Sequence, residues 1–234
     1  MLLLAVIPSI VLFIIVWKGD RYEKEPPKLL IKLFLLGALT TVSASVIELF
    51  FGDVVLGFMD HQGMLYILIE NFLIVALAEE AGKFVVLKKV TWKHPAFNYT
   101  FDAVVYAVTV SLGFATLENI LYLVENDISV AIIRAIFSVP GHVIDAIYMG
   151  YYYGFAKYSE AYNDMKLKKK YMKRAFLVPV LIHGFYDFCL STEYGILILV
   201  FLVFEIVITV ITIRKFLMLS RVEAVIPENT ENKA

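Results

Sequence analysis

Residues 64–87 read MLYILIENFLIVALAEEAGKFVVL. As a helix these 24 residues would be about 36 Å long, more than the roughly 30 Å of a bilayer's hydrocarbon. Two adjacent glutamates, Glu79 and Glu80, sit inside the run, where nothing nearby hydrates them. A charged side chain at the bilayer centre costs roughly 2.5–3.5 kcal/mol on insertion scales. A chain that keeps two such groups side by side is using them. The embedding recurs further on: Glu118, His142, His183 and Asp187 each fall within another apolar run.

Outward from that stretch, the whole chain has the same character. Of 234 residues 60% are hydrophobic and only 18% charged, and the mean hydropathy is +0.77. This implies an integral, all-α membrane bundle rather than a water-soluble domain. Seven runs reach spanning length, at 2–17, 29–51, 64–87, 101–124, 128–156, 172–191 and 194–219. The first has neither a positive residue ahead of it nor a small-residue cleavage site, so a retained span is expected rather than a signal peptide. The fifth is over-long and carries Pro140-Gly141, which should break the helix beside His142. One transmembrane domain is expected over 1–221, followed by a polar, disordered tail over 222–234. With a single cysteine, Cys189, neither an internal disulfide nor a cysteine-based metal cluster can form. No phosphate-binding glycine loop, zinc-finger spacing, nucleic-acid surface or internal repeat is present.

Lysine and arginine set the orientation. They follow the first, third, fifth and seventh runs, while the loops at 53–63, 125–127 and 191–195 hold none. The positive-inside rule then puts the amino terminus outside and the carboxyl terminus in the cytoplasm.

Helical spacing assembles the chemistry. Glu79 and Glu80 lie four and three residues before Lys83, so both reach it along the helix. Two poorly solvated carboxylates this close do not both ionise readily, and one held near neutrality suits general acid–base work. Lys83 is near the cytoplasmic end and is expected to extend toward it; an ion pair with it would account for one glutamate only. His183 and Asp187 share a face, so the carboxylate can fix the imidazole and leave its other nitrogen for water, substrate or metal. At 1.5 Å per residue, Glu79, His183 and His142 lie about 12, 17 and 21 Å from the cytoplasmic side, compatible with one mid-membrane site. Asp145 follows His142 by three residues. Glu118, with Asn119, is at the right depth to pair with Arg134, a role as much structural as functional. Glu70 and Glu48 can face water near the outer surface, Glu205 has no evident partner, and Tyr148, Tyr151, Tyr152 and Tyr153 suit an interfacial belt.

Four motifs in order, Glu79-Glu80-x-x-Lys83, Phe114-x-x-x-Glu118-Asn119, His142 with Gly150 eight residues on, and His183-x-x-x-Asp187, resemble the PrsW family of bacterial membrane proteases. That family is similar to the prenyl-protein (CAAX) endopeptidases. The wider group's arginine after the glutamate pair is here Lys83, at shorter spacing, and Ser138 stands where it has a phenylalanine four before the histidine. Both departures favour the PrsW branch over a CAAX-type prenyl endopeptidase.

The resemblance implies a multi-pass protein of the bacterial cell membrane that cuts a single-span, membrane-anchored anti-sigma factor in envelope stress signalling. Glu79, Glu80, His142, His183 and Asp187 would be catalytic, with Lys83, Glu118 and Asn119 supporting. Water activated by a glutamate alone, or by zinc held through His142, His183 and Glu79, would attack the peptide bond. Both routes stay open, the metal-free one first because no His-Glu-x-x-His helix is present. A proton-coupled transporter built on the same intramembrane acids, or a scaffold for other spans, is the alternative from another class.

Overall fold

The computed structural model describes residues 2–192 and 194–227. Its helices are α1 (Leu2–Gly19), α2 (Pro27–Leu49), α3 (Met64–Ile69), α4 (Ala76–Thr91), α5 (Asp102–Glu125), α6 (Ile128–Ile136), α7 (Ser138–Ala161), α8 (Met165–Ser191) and α9 (Gly195–Leu219). Helix α2 continues into a π-helical turn at Phe50–Val55, and a second π-helical turn, Glu70–Val75, joins α3 to α4 without a break. With α6 and α7, parted only at Phe137, taken as one path, these nine helices make seven helical paths among the described residues, matching the seven runs read from the sequence. The sole extended pairing described is one bridge between Tyr99 and Val225, so the bundle is all-α.

Among the described residues, five segments are long and apolar enough to cross a membrane: Pro27–Gly52, Asp102–Val124, Ile128–Ala161, Met165–Ser191 and Gly195–Leu219. The first path has a shorter apolar part, Ala5–Gly19. The path over 64–91 is divided by the π-helical turn Glu70–Val75 into α3 and α4, of 6 and 16 residues, so neither α-helix alone reaches spanning length.

Helix α5 is the axis of the bundle: 78% of its apolar window is buried, against 11% for α9 at the periphery. In lipid, helices gain little from hiding apolar surface, so close contact between backbones has to hold them together. Glycine supplies that contact. A Cβ on Gly37 of α2 would stand 2.0 Å from the Val110 carbonyl oxygen, and one on Gly113 of α5 would stand 2.0 Å from that of Phe34. On the opposite side, a Cβ on Gly150 would meet Val104 Cα at 2.5 Å. Gly150 therefore seats α7, and with it His142, against the central helix.

The break expected near Pro140-Gly141 is present, at Phe137 between α6 and α7, although the proline is not its cause, and two other expectations are corrected. Pro140 occupies the first turn of α7, where a missing N–H costs no intrahelical bond. Next, Tyr153 is fully buried instead of interfacial. Its ring stacks on Phe97 at 5.5 Å, meets Trp92 edge-on at 5.0 Å, and its hydroxyl pairs with Thr91 Oγ1 at 2.9 Å. Lastly, the chain after Arg221 is ordered at its start. Thr100 N donates to Ala224 O (3.0 Å), Ile226 N donates to Asn98 O (2.7 Å), and the Ile226 side chain is buried in the core. The rest of the expected tail, from 228 on, lies outside the described residues.

Candidate active site

Four helices bring polar side chains to one place in the middle of the bundle. Helix α4 supplies Glu79, Glu80 and Lys83; α5 supplies Phe114 and Glu118; α7 supplies His142 and Asp145; α8 supplies His183 and Asp187. The π-helical turn before α4 packs against α8, where Gly184 admits the Phe72 ring; a Cβ there would meet it at 2.6 Å. That close seat lets α8 present His183 to the glutamates.

Lys83 is the hub. Its side chain is 1% exposed, so the expected reach toward the cytoplasmic surface is wrong. The ammonium instead turns inward, to Glu79 Oε2 (3.1 Å), Glu80 Oε1 (2.8 Å) and His142 Nδ1 (3.2 Å), with the Phe114 ring face 4.0 Å away. One ammonium therefore serves both glutamates, as the helical spacing allowed, whereas a simple ion pair would have accounted for only one. An intrahelical pair lies within reach at either spacing, and burial among carboxylates outweighed exposure at the membrane edge.

The two imidazoles lie 5.3 Å apart, nearly perpendicular at 79°. Since Lys83 can only donate, His142 Nδ1 accepts from it and Nε2 carries the proton toward Glu118 Oε2, 3.0 Å away. Glu118 is itself held by Arg134 Nη2 at 2.6 Å, the expected pair. Arg134 Nε also donates to Asn119 Oδ1 at 2.9 Å. Asn119 thus fixes Arg134 and has no described contact with the glutamates. His183 sits between carboxylates, with Nδ1 3.0 Å from Glu80 Oε1 and Nε2 3.1 Å from Asp187 Oδ2 and 3.8 Å from Glu79 Oε2.

Every candidate residue from the sequence is thereby joined in one continuous network, Asn119 through Arg134 alone. Asp145 is the addition: its Oδ2 is 3.8 Å from His183 Nδ1 and its Oδ1 is buried without a partner. Its place three residues past His142, on the same helical face, was the available signal.

A cavity of about 770 Å³ opens onto this network. Glu79, Glu118, His142, His183 and Asp187 line it, whereas Glu80 and Lys83 lie behind them. It extends toward Glu48, Gly52 and Ser191, at the bundle end whose loops lack lysine and arginine. Glu205, which had no partner in the sequence, faces this same space.

The donor set fits a metal ion. One ligand atom from each of Glu79, Glu80, His142 and His183 lies within 4.8 Å of the others, and two imidazoles with carboxylates are a usual zinc set. Glu80 Oε2 is moreover buried with no hydrogen-bond partner. Lys83 stands on the same acceptors, so an ion there would compete with its ammonium for His142 Nδ1 and the glutamates.

Comparison with known proteins agrees with this geometry. The family model described as PrsW family intramembrane metalloprotease matches residues 25–213. The protein named Protease PrsW of Clostridioides difficile (strain 630) is 35% identical over 217 residues, covering 91% of this chain and 88% of that one. Its namesake in Oceanobacillus iheyensis is 39% identical over 184 residues, covering 79% and 80%. That of Shouchella clausii is 31% identical over 221 residues, covering 94% and 97%. No solved structure matches the chain. The family's description as metalloproteases weighs against the metal-free route placed first from the sequence.

Proposed function

The chain belongs to the PrsW family of intramembrane metalloproteases, and on that premise we propose that it hydrolyses a peptide bond of a single-span membrane protein, of the kind represented by an anti-sigma factor. The observation that carries this reading is the meeting of Glu79, His142 and His183 at the wall of one cavity. The amino terminus is outside and the carboxyl terminus cytoplasmic, so the cavity extends toward the outer side and the scissile bond is reached from there.

Within this reading Glu79 is the base. It lines the cavity and Glu80 does not, so only Glu79 can meet a water and a substrate carbonyl together. It takes a proton from the water as the water oxygen bonds to the carbonyl carbon. It then returns that proton to the amide nitrogen as the C–N bond breaks. Glu80 and Asp187 hold the two nitrogens of His183; Glu118, anchored by Arg134, holds His142. The imidazoles are placed to steady the oxyanion. With Glu79 as the base, zinc would be held by His142, His183 and Glu80, and would make the water more acidic and polarise the carbonyl. Lys83 keeps the glutamates together and balances their charge.

Co-expression with single-span substrates tests the assignment. Wild type should yield a new fragment that Glu79→Gln and His183→Ala both abolish, and chelation should stop turnover until Zn²⁺ is restored. A carrier or scaffold would yield no fragment. Turnover that survives thorough metal removal would return the mechanism to glutamate and water alone.

A further inference from the structure

A second group of acids lies at the opposite end of the bundle from the cavity mouth, among the lysine-rich loops. Asp20 follows α1, Asp102 begins α5, and Glu223 lies in the ordered segment after α9. One carboxylate oxygen from each lies within 4.8 Å of the others. Asp102 is fully buried and Asp20 is 1% exposed.

Proximity of acids alone would mean little, but their oxygens are also orphaned. Asp102 Oδ2 accepts from the backbone N–H groups of Asn98 (3.0 Å) and Tyr99 (2.8 Å). The four oxygens of Asp20 and Glu223 are buried with no hydrogen-bond partner, and Asp102 Oδ1, also buried, has only the neighbouring Glu25 carboxyl within reach. Lys24, the nearby cation, is spent on the backbone carbonyls of Trp17 and Asp20. The Tyr106 hydroxyl is likewise given to Glu25. Buried carboxylates are normally paired or bound to metal, and Asp20 is nine-tenths buried and aimed into the group with neither oxygen answered.

We infer that Asp20, Asp102 and Glu223 form a structural site for a hard divalent cation, Mg²⁺ or Ca²⁺, that fastens the carboxyl-terminal segment to the ends of α1 and α5. All-oxygen donors without nitrogen or sulfur select this class over zinc. Opposite ligands on Ca²⁺ lie about 4.6–5.2 Å apart, and on Mg²⁺ about 4.0–4.2 Å, so the spread of these atoms suits one ion. The segment is already positioned for it by the pairing of Ala224 with Thr100 and of Ile226 with Asn98. The inference stands whether or not the proteolytic reading holds.

The test uses the full chain in nanodiscs with Zn²⁺ held constant, so that the mid-membrane group does not contribute. After removal of Mg²⁺ and Ca²⁺, each is titrated back against KCl of matched ionic strength. The readouts are thermal midpoint and the rate of tryptic cleavage after the exposed Arg221. Saturable protection is expected, slowing cleavage about tenfold or more, with a rise of several degrees in midpoint. Asp20→Asn and Glu223→Gln should remove the response, yet without the cation melt no lower than wild type, because like charges have been removed. That last result separates a lost ion site from a damaged fold. The proposal is overturned by a response no greater than that to KCl, or by an undiminished response in both variants. Protection that follows acidification alone would overturn it too, since shared protons would then hold the acids together.

Discussion

Glu79 and Glu80 share the Lys83 ammonium and flank His183, whereas Asp20, Asp102 and Glu223 face one another with no basic side chain within salt-bridge distance among the described residues. In the first group Glu79 and His183 line a cavity, and none of the second group's acids borders it. Burial alone therefore says little about what a carboxylate is for. In the mid-membrane group the chain supplies its own counter-charges, Lys83 and Arg134, and leaves Glu79, alone of the glutamate pair, facing open space, an arrangement suited to moving protons. In the loop group the counter-charge has to come from outside, an arrangement for holding elements together.

The largest effect that could break this contrast is on turnover. Glu79→Gln should lower kcat by about 10²–10⁴-fold, the usual contribution of a general base, while the thermal midpoint moves little. Glu80→Gln, which removes the negative charge that Lys83 and His183 both answer, should lower the midpoint as well as turnover. Steady-state cleavage and melting of the two variants decide the matter. If Glu80→Gln kept its stability and Glu79→Gln lost it, their roles would have to be exchanged.

Next comes the internal counter-charge. Lys83→Met leaves two buried carboxylates without their cation, a change that costs about 3–5 kcal/mol when a buried pair is broken from one side. A sharp fall in melting temperature is expected, partly restored by Zn²⁺ if an ion takes up the same acceptors. A variant as stable as wild type without added metal would mean the ammonium is not what balances this group, and the contrast with the loop acids would fail.

Much of this was legible because apolar runs make a polar residue conspicuous. Glu79, Glu80, His142 and His183 each declared themselves by the cost of their setting, and helical rise brought them to a common depth. Lys83 could not be resolved the same way, since its position permits a side chain pointing to either the interface or the glutamates. Tyr153 failed for a similar reason: a cluster of tyrosines near a helix end looks the same in sequence whether it meets headgroups or packs on Phe97 and Trp92. The order of residues 222–226 depends on one apolar side chain, Ile226, finding the core from a polar stretch. Asp20, Asp102 and Glu223 were invisible, because they sit in or beside polar loops, far apart in the chain, where carboxylates are ordinary.

A smaller effect should come from the rim of the site. Arg134 is 16% exposed and holds Glu118, Asn119 and Ser138. Its replacement by Gln should cost about 1–3 kcal/mol, in the range for a hydrogen-bonded charge, less than Lys83→Met because water from the cavity can reach Glu118. Equal losses for the two would show that the rim is as dry as the centre.

The smallest expected effect concerns Glu205, an isolated acid between these two extremes. It lies in the middle of α9, half-buried, and borders the cavity with no ion pair described. If the cavity holds water, a lone carboxylate there is solvated, and Glu205→Gln should change stability by less than about 0.5 kcal/mol, like a surface substitution. A gain of more than about 1 kcal/mol would instead place this acid in a dry setting, where relief of its desolvation is felt. Melting of this variant in nanodiscs thus reports on the wetness of the space in front of Glu79. Without water there, neither the base role of Glu79 nor the distinction between a counter-charged, open group and an unneutralised, closed one could stand.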